Sequence, residues 1–163
     1  MSPPESNAPP SRHTRVSVGG VLIREGRVLV NRASYRTRFT IPGGFVERGE
    51  SLEAALVREF EEETGVLVRP DRLFLARYEV ANATESDAYY AFLVSYVSGE
   101  PAPRPPEIVE VRDPALDEAL RADWISDASR FALRCALERG AGWARGSWQS
   151  RAEPPLFTEV YHR

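Results

Sequence analysis

At 163 residues and a formal net charge of −3, the chain is sized for one domain with its own core, and it lacks the strongly basic balance of a nucleic-acid-coating protein. All 21 basic residues are arginines, which excludes a lysine Schiff base or a P-loop lysine, and the single Cys135 excludes an internal disulfide or a cysteine-based zinc site. The only two histidines, His13 and His162, lie near the ends, so a core triad is not expected and a core metal must use oxygen ligands, as magnesium, manganese or calcium does.

Residues 1–13 are Pro-rich and nearly free of large apolar side chains, which predicts a disordered tail. A domain is expected over 14–140, and residues 141–163 read as a C-terminal extension packed on it. No apolar run is long enough to span a membrane, and the N-terminus lacks the basic and apolar regions of a signal peptide, so the expected location is the cytoplasm. Val16, Val18 and Val21–Ile23 predict a strand, and Val28–Val30 another; Glu25-Gly26 between them predicts a hairpin. Phe39–Ile41 reads as a short strand stopped by Pro42-Gly43-Gly44. A helix is predicted over Leu52–Thr64, with Ser51 as N-cap and Gly65 just past its end. Leu67–Val80 reads as extended, broken at Pro70-Asp71. Ala88–Val97 reads as a strand buried on both faces. After a Pro-rich loop at Gly99–Pro106 come a short strand, Ile108–Val111, and helices near Ala115–Arg121 and Ile125–Arg139. This order predicts an α/β fold with a mixed central sheet and helices against it.

The chemistry concentrates in GFVERGESLEAALVREFEEETGV, Gly44 to Val66. At about 100° per residue, Glu59, Glu62 and Glu63 fall within roughly one third of the helix circle that Leu52, Ala55 and Leu56 mark as inward, whereas Glu61 falls opposite. Three acids at a core margin need cationic compensation. A divalent metal supplies it economically, because hard cations take carboxylate oxygens. Arg58 is placed to orient one carboxylate but cannot neutralise three. Gly43 and Gly44 would let the backbone approach a ligand and leave carbonyls to ligate.

The spacing G-x5-E-x7-R-E-U-x-E-E-x-G-U, with U apolar, resembles the signature of the Nudix hydrolases, and Gly44, Glu50, Arg58, Glu59, Phe60, Glu62, Glu63, Gly65 and Val66 fill every defined position. The resemblance implies an α/β/α sandwich and Mg²⁺- or Mn²⁺-dependent hydrolysis of a diphosphate linkage. The implied substrate class is a small nucleoside diphosphate derivative: a nucleotide sugar, nucleoside triphosphate or dinucleotide. It implies that Glu59, Glu62 and Glu63 hold metal with a carbonyl of Gly43 or Gly44. Glu50 would support the loop and helix through Arg58, and Gly65 would be structural. A further catalytic acid is implied after the last long strand; Glu107 is preferred over Glu110. A homodimer is an expectation by family analogy alone, and neither a membrane nor a nucleic acid is an expected partner.

For substrate binding, the candidates are Arg32, Arg36 and Arg38, interleaved with Tyr35 and Phe39, together with Tyr90. The downstream proline of ADP-ribose hydrolases and the SQPW-type motif of NADH pyrophosphatases are missing, so no subclass is assigned. Competing readings are a non-catalytic nucleotide-sensing module, which would typically lose box acids, and an RNA 5′-end pyrophosphohydrolase, which would need a basic channel. A structural calcium site is disfavoured because calcium loops draw ligands from a turn.

Overall fold

The computed structural model describes residues 13–80 and 85–137. The expected N-terminal tail, except for His13, and the C-terminal extension with Trp143, Trp148 and His162 lie outside the described residues. Strand β1 (His13–Arg24) turns at Glu25-Gly26, whose φ angles of 50° and 74° suit a tight hairpin, into the two-residue β2 (Arg27–Val28). Val30–Ala33 then forms β3 in a different sheet, so the predicted single strand at 28–30 is split at Leu29. Helix α1 spans Leu52–Thr64. Ser51 Oγ accepts the Ala54 N–H at 3.1 Å, and Gly65 ends the helix in the left-handed region with φ 74°. Strands β4 (Leu67–Val80) and β5 (Glu85–Ser98) are long and antiparallel, with register shifts at Pro70/Arg72 where the sequence predicted a break. Strand β6 (Ile108–Arg112) pairs with β3, and α2 (Leu116–Ala119) and α3 (Asp127–Leu137) follow.

The main sheet has the order β2-β1-β5-β4, with β1 parallel to β5 and the other pairs antiparallel, so it is mixed as expected. Strand alternation assigns its two faces. Val18, Leu22, Phe92 and Val94 pack with Leu56 and Phe60 of α1. Val21, Leu75 and Ala91 pack with Ala132 and Leu133 of α3. Phe60 is fully buried, and burial of such a side chain contributes about 1.5–3 kcal/mol. Gly20 makes that contact close: a Cβ there would lie 2.4 Å from Phe60 Cε2.

Three predicted elements are shorter than expected, among them the helix expected near Ala115–Arg121, which spans Leu116–Ala119. Phe39 and Thr40 form isolated bridges, to Ile125 and Asn31, rather than a strand. Helix α3 starts at Asp127 because Ile125 is taken by Phe39, while Ser126 Oγ accepts the Ser129 N–H at 3.2 Å. Among the described residues, no helix is long and apolar enough to cross a membrane.

Candidate active site

The segment 42–46 lies along β1 through three backbone bonds: Gly20 N–H to Pro42 O, Val18 N–H to Gly44 O and Val46 N–H to Val16 O, each 2.9 Å. Gly43 has φ 150°, and a Cβ on it would meet Val18 O at 2.1 Å, so only glycine fits. Because the Gly44 carbonyl already accepts from Val18, Gly43 offers the carbonyl with fewer claims on it.

Arg58 joins this segment to α1. Its Nε and Nη2 grip Glu50 at 3.0 and 2.9 Å, Nη2 also donates to Phe45 O at 3.0 Å, and Nη1 reaches Glu59 at 2.9 Å and Glu62 at 3.1 Å. The bond to Arg58 holds the Glu50 carboxyl below its ordinary range, and the bond to Glu50 in turn raises Arg58. A second bond, from Glu47 N–H at 3.1 Å, fastens Glu50 to its own loop.

The three helix acids sit in different environments. The Glu59 carboxylate lies against Gly44, where a Cβ would come within 2.5 Å of it; burial raises its pKa against the opposing pull of Arg58. Glu63 is pushed up to about 7, chiefly by burial, although its Oε2 accepts from Gly43 N–H and Asn31 Nδ2, each at 2.7 Å. Glu62 is different: its side chain is 61% exposed. The reason is the direction of the stripe. The buried positions of α1 are Ala55, Leu56, Phe60 and Thr64, which run from about 300° to about 120° with Leu52 at zero. Glu59 and Glu63 fall inside that arc; Glu62, near 280°, falls just outside it.

A cleft of about 550 Å³ opens beside these residues. Gly43, Gly44, Glu59, Glu63 and Glu107 contribute to its wall; Tyr35 and Arg36 also line it. Repulsion from Glu107 contributes to the raised pKa of both Glu59 and Glu63, so this acid faces them. Glu110 does not: it lies between Arg32, at 3.0 Å, and Arg112. Of the expected substrate residues, Arg36 reaches the cleft and three do not. Arg32 is held by Glu110 and lies over the Phe39 ring, and Arg38 is paired with Asp127 at 3.2 Å. Tyr90 packs on the α1 side, whereas its neighbour Tyr89, one residue out of phase, lines the cleft. Sequence reasoning also missed Asn31, which is 1% exposed.

The donor set is all oxygen and carries partly buried negative charge, which suits a hard divalent cation. It is not a ready-made cage, since no three metal-ligating side chains converge among the described residues. Glu59 and Glu62 are turned onto Arg58, and Glu63 onto Asn31 and Gly43.

With α1 and α3 packed on opposite faces of the sheet and an acid-lined cleft between the glycine loop and the C-terminal half of α1, the chain is an α/β sandwich, and known proteins share that fold. The family model described as NUDIX domain matches residues 13–135, and the chain belongs to that family. It is 42% identical over 74 residues to a MutT-like protein of Streptomyces ambofaciens, covering 45% of this chain and 47% of that protein. It is 40% identical over 58 residues to an ADP-ribose pyrophosphatase of Methanocaldococcus jannaschii, covering 34% of each. The matches thus span less than half the length of these relatives. The MutT NUDIX hydrolase of Burkholderia pseudomallei superposes with a TM-score of 0.63 at 28% identity, over 76% of this chain and 98% of that one.

Proposed function

We propose that the chain hydrolyses the diphosphate linkage of small nucleoside diphosphate derivatives in the cytoplasm, with Mg²⁺ or Mn²⁺ as cofactor. The observation that carries this reading is that Glu59, Glu63 and Glu107 line one cleft with Gly43 and Gly44. Glu59, Glu62 and Glu63, with the Gly43 carbonyl, would hold the cation. Bound there, it would neutralise the diphosphate and acidify the attacking water. Arg58 keeps Glu59 and Glu62 oriented and ties them to the loop through Glu50. Glu107 takes the proton as water adds to one phosphorus and the bridging P–O bond breaks, giving two products that each end in a phosphate. Arg36 and the exposed Tyr35 stand at the cleft wall as phosphate and base contacts; the ion-paired Arg32 and Arg38 have no part in this reading.

The test is turnover of nucleoside triphosphates, nucleotide sugars, dinucleotides and capped RNA with Mg²⁺ or Mn²⁺. At least one small nucleotide is hydrolysed. Glu107→Gln lowers kcat by about 100-fold or more, and Glu110→Gln leaves it nearly unchanged. No turnover of any substrate, with nucleotide binding retained, would make the protein a sensor. Turnover restricted to capped RNA would reassign the substrate class.

A further inference from the structure

We infer that Asn31 is a positioning residue that aims the Glu63 carboxylate at the metal-binding face of the cleft, an inference that rests on the proposed hydrolase reading. Asn31 is fully enclosed, at 1% exposure, on β3. A buried amide persists where its hydrogen bonds are made, and this one makes them in a directed way. Its Nδ2 donates to Glu63 Oε2 at 2.7 Å, and its Oδ1 accepts from Thr40 Oγ1 at 3.2 Å. Rotating the amide would set Oδ1 against the Glu63 carboxylate, acceptor against acceptor, so the donor is fixed on the carboxylate. Its backbone is fixed too: Asn31 and Thr40 exchange N–H···O bonds of 2.9 and 2.8 Å.

The Gly43 N–H meets the same oxygen at 2.7 Å. Two donors thus converge on Oε2, and among the described residues none donates to Oε1. The carboxylate is pinned by one oxygen while the group still lines the cleft. Residues 34–39, which carry Tyr35 and Arg36, are closed off by the Asn31–Thr40 bridge. The amide that orients the acid therefore also anchors the base of the substrate-side loop.

Outer-shell donors of this kind typically change metal affinity by about 10- to 100-fold when removed. The test is Mn²⁺ binding without substrate, followed by the electron paramagnetic resonance signal of unbound Mn²⁺. Asn31→Leu, close in size and lacking the amide, should weaken Mn²⁺ binding by about 10-fold or more. Thr40→Val, which removes only the hydroxyl holding Asn31 Oδ1, should weaken it by a few-fold, and it carries the test if Asn31→Leu does not fold. Parent-like Mn²⁺ affinity in folded Asn31→Leu overturns the inference, as does parent-like affinity in Thr40→Val if that variant alone folds. If the parent protein binds no Mn²⁺, the metal reading falls and this inference with it; the two failures are distinguished by the parent protein alone.

Discussion

Replacing Glu63 by Gln tests the electrostatics of the cleft without any substrate. In the metal-free protein the Glu63 pKa is pushed from its ordinary 4.5 to about 7, mainly by burial. The folded protein therefore holds this proton more tightly than the unfolded chain does between those values. Stability from this group is fully present below pH 4.5 and is lost as pH rises through about 7. The full difference corresponds to about 3 kcal/mol against the ionised form. Solvent at the cleft screens part of it, so about 1–2 kcal/mol is expected in practice. Gln keeps an oxygen to accept from Asn31 and Gly43 and carries no charge. Urea unfolding in EDTA should therefore give Glu63→Gln and the parent similar stability at pH 5, with the variant about 1–2 kcal/mol more stable at pH 8. Saturating Mg²⁺ should restore the parent and leave the variant little changed. The difference between the two proteins isolates this group from Glu50, whose lowered pKa contributes in the opposite direction as pH falls. A constant difference from pH 5 to pH 8 would refute the reasoning.

Two further outcomes probe the frame around the site. Gly20→Ala should destabilise by about 1–3 kcal/mol in urea unfolding, because its Cβ would meet Phe60 at 2.4 Å and Leu56 at 3.1 Å in a filled core; unchanged stability would mean that α1 can lift from the sheet. Arg58→Met should remove the bonds to Glu50, Glu59, Glu62 and Phe45 O together. It is expected to cost about 2–4 kcal/mol and to abolish the proposed hydrolysis, whereas a melting temperature within a degree of the parent would show that these bonds do not stabilise the fold.

Much of this arrangement was legible in the sequence, and the exceptions have physical causes. The ends of α1 follow from Ser51 and Gly65, local signals that tertiary context did not override. Placing Glu62 on the inward stripe was a displacement by one edge: Leu52 and Ala55 indicated a direction that Phe60 and Thr64 move round the helix. Tyr89 and Tyr90 show the limit of strand alternation, which separates two faces without saying which one meets the cleft. Arg32 and Arg38 read as phosphate contacts because their partners, Glu110 and Asp127, stand 78 and 89 residues further along the chain. Asn31 was invisible for the same reason, since its role exists only when β3 meets a helix residue 32 positions later.

The parallel pairing of β1 with β5 also bears on how the chain reaches this state. Thr14 and Ser86, joined by their hydroxyls at 2.8 Å, are 72 residues apart, and everything between must be made before the central pair can close. On a ribosome the acidic helix emerges well ahead of Phe92 and Val94, half of the floor on which Phe60 rests. Without β5 the native cover of Phe60 lacks Phe92 and Val94. Assembly is thus a late, long-range event with a correspondingly slow closure. The segment that carries the acids thus completes its native contacts only with residues made some thirty positions later, as Phe60 does with Phe92.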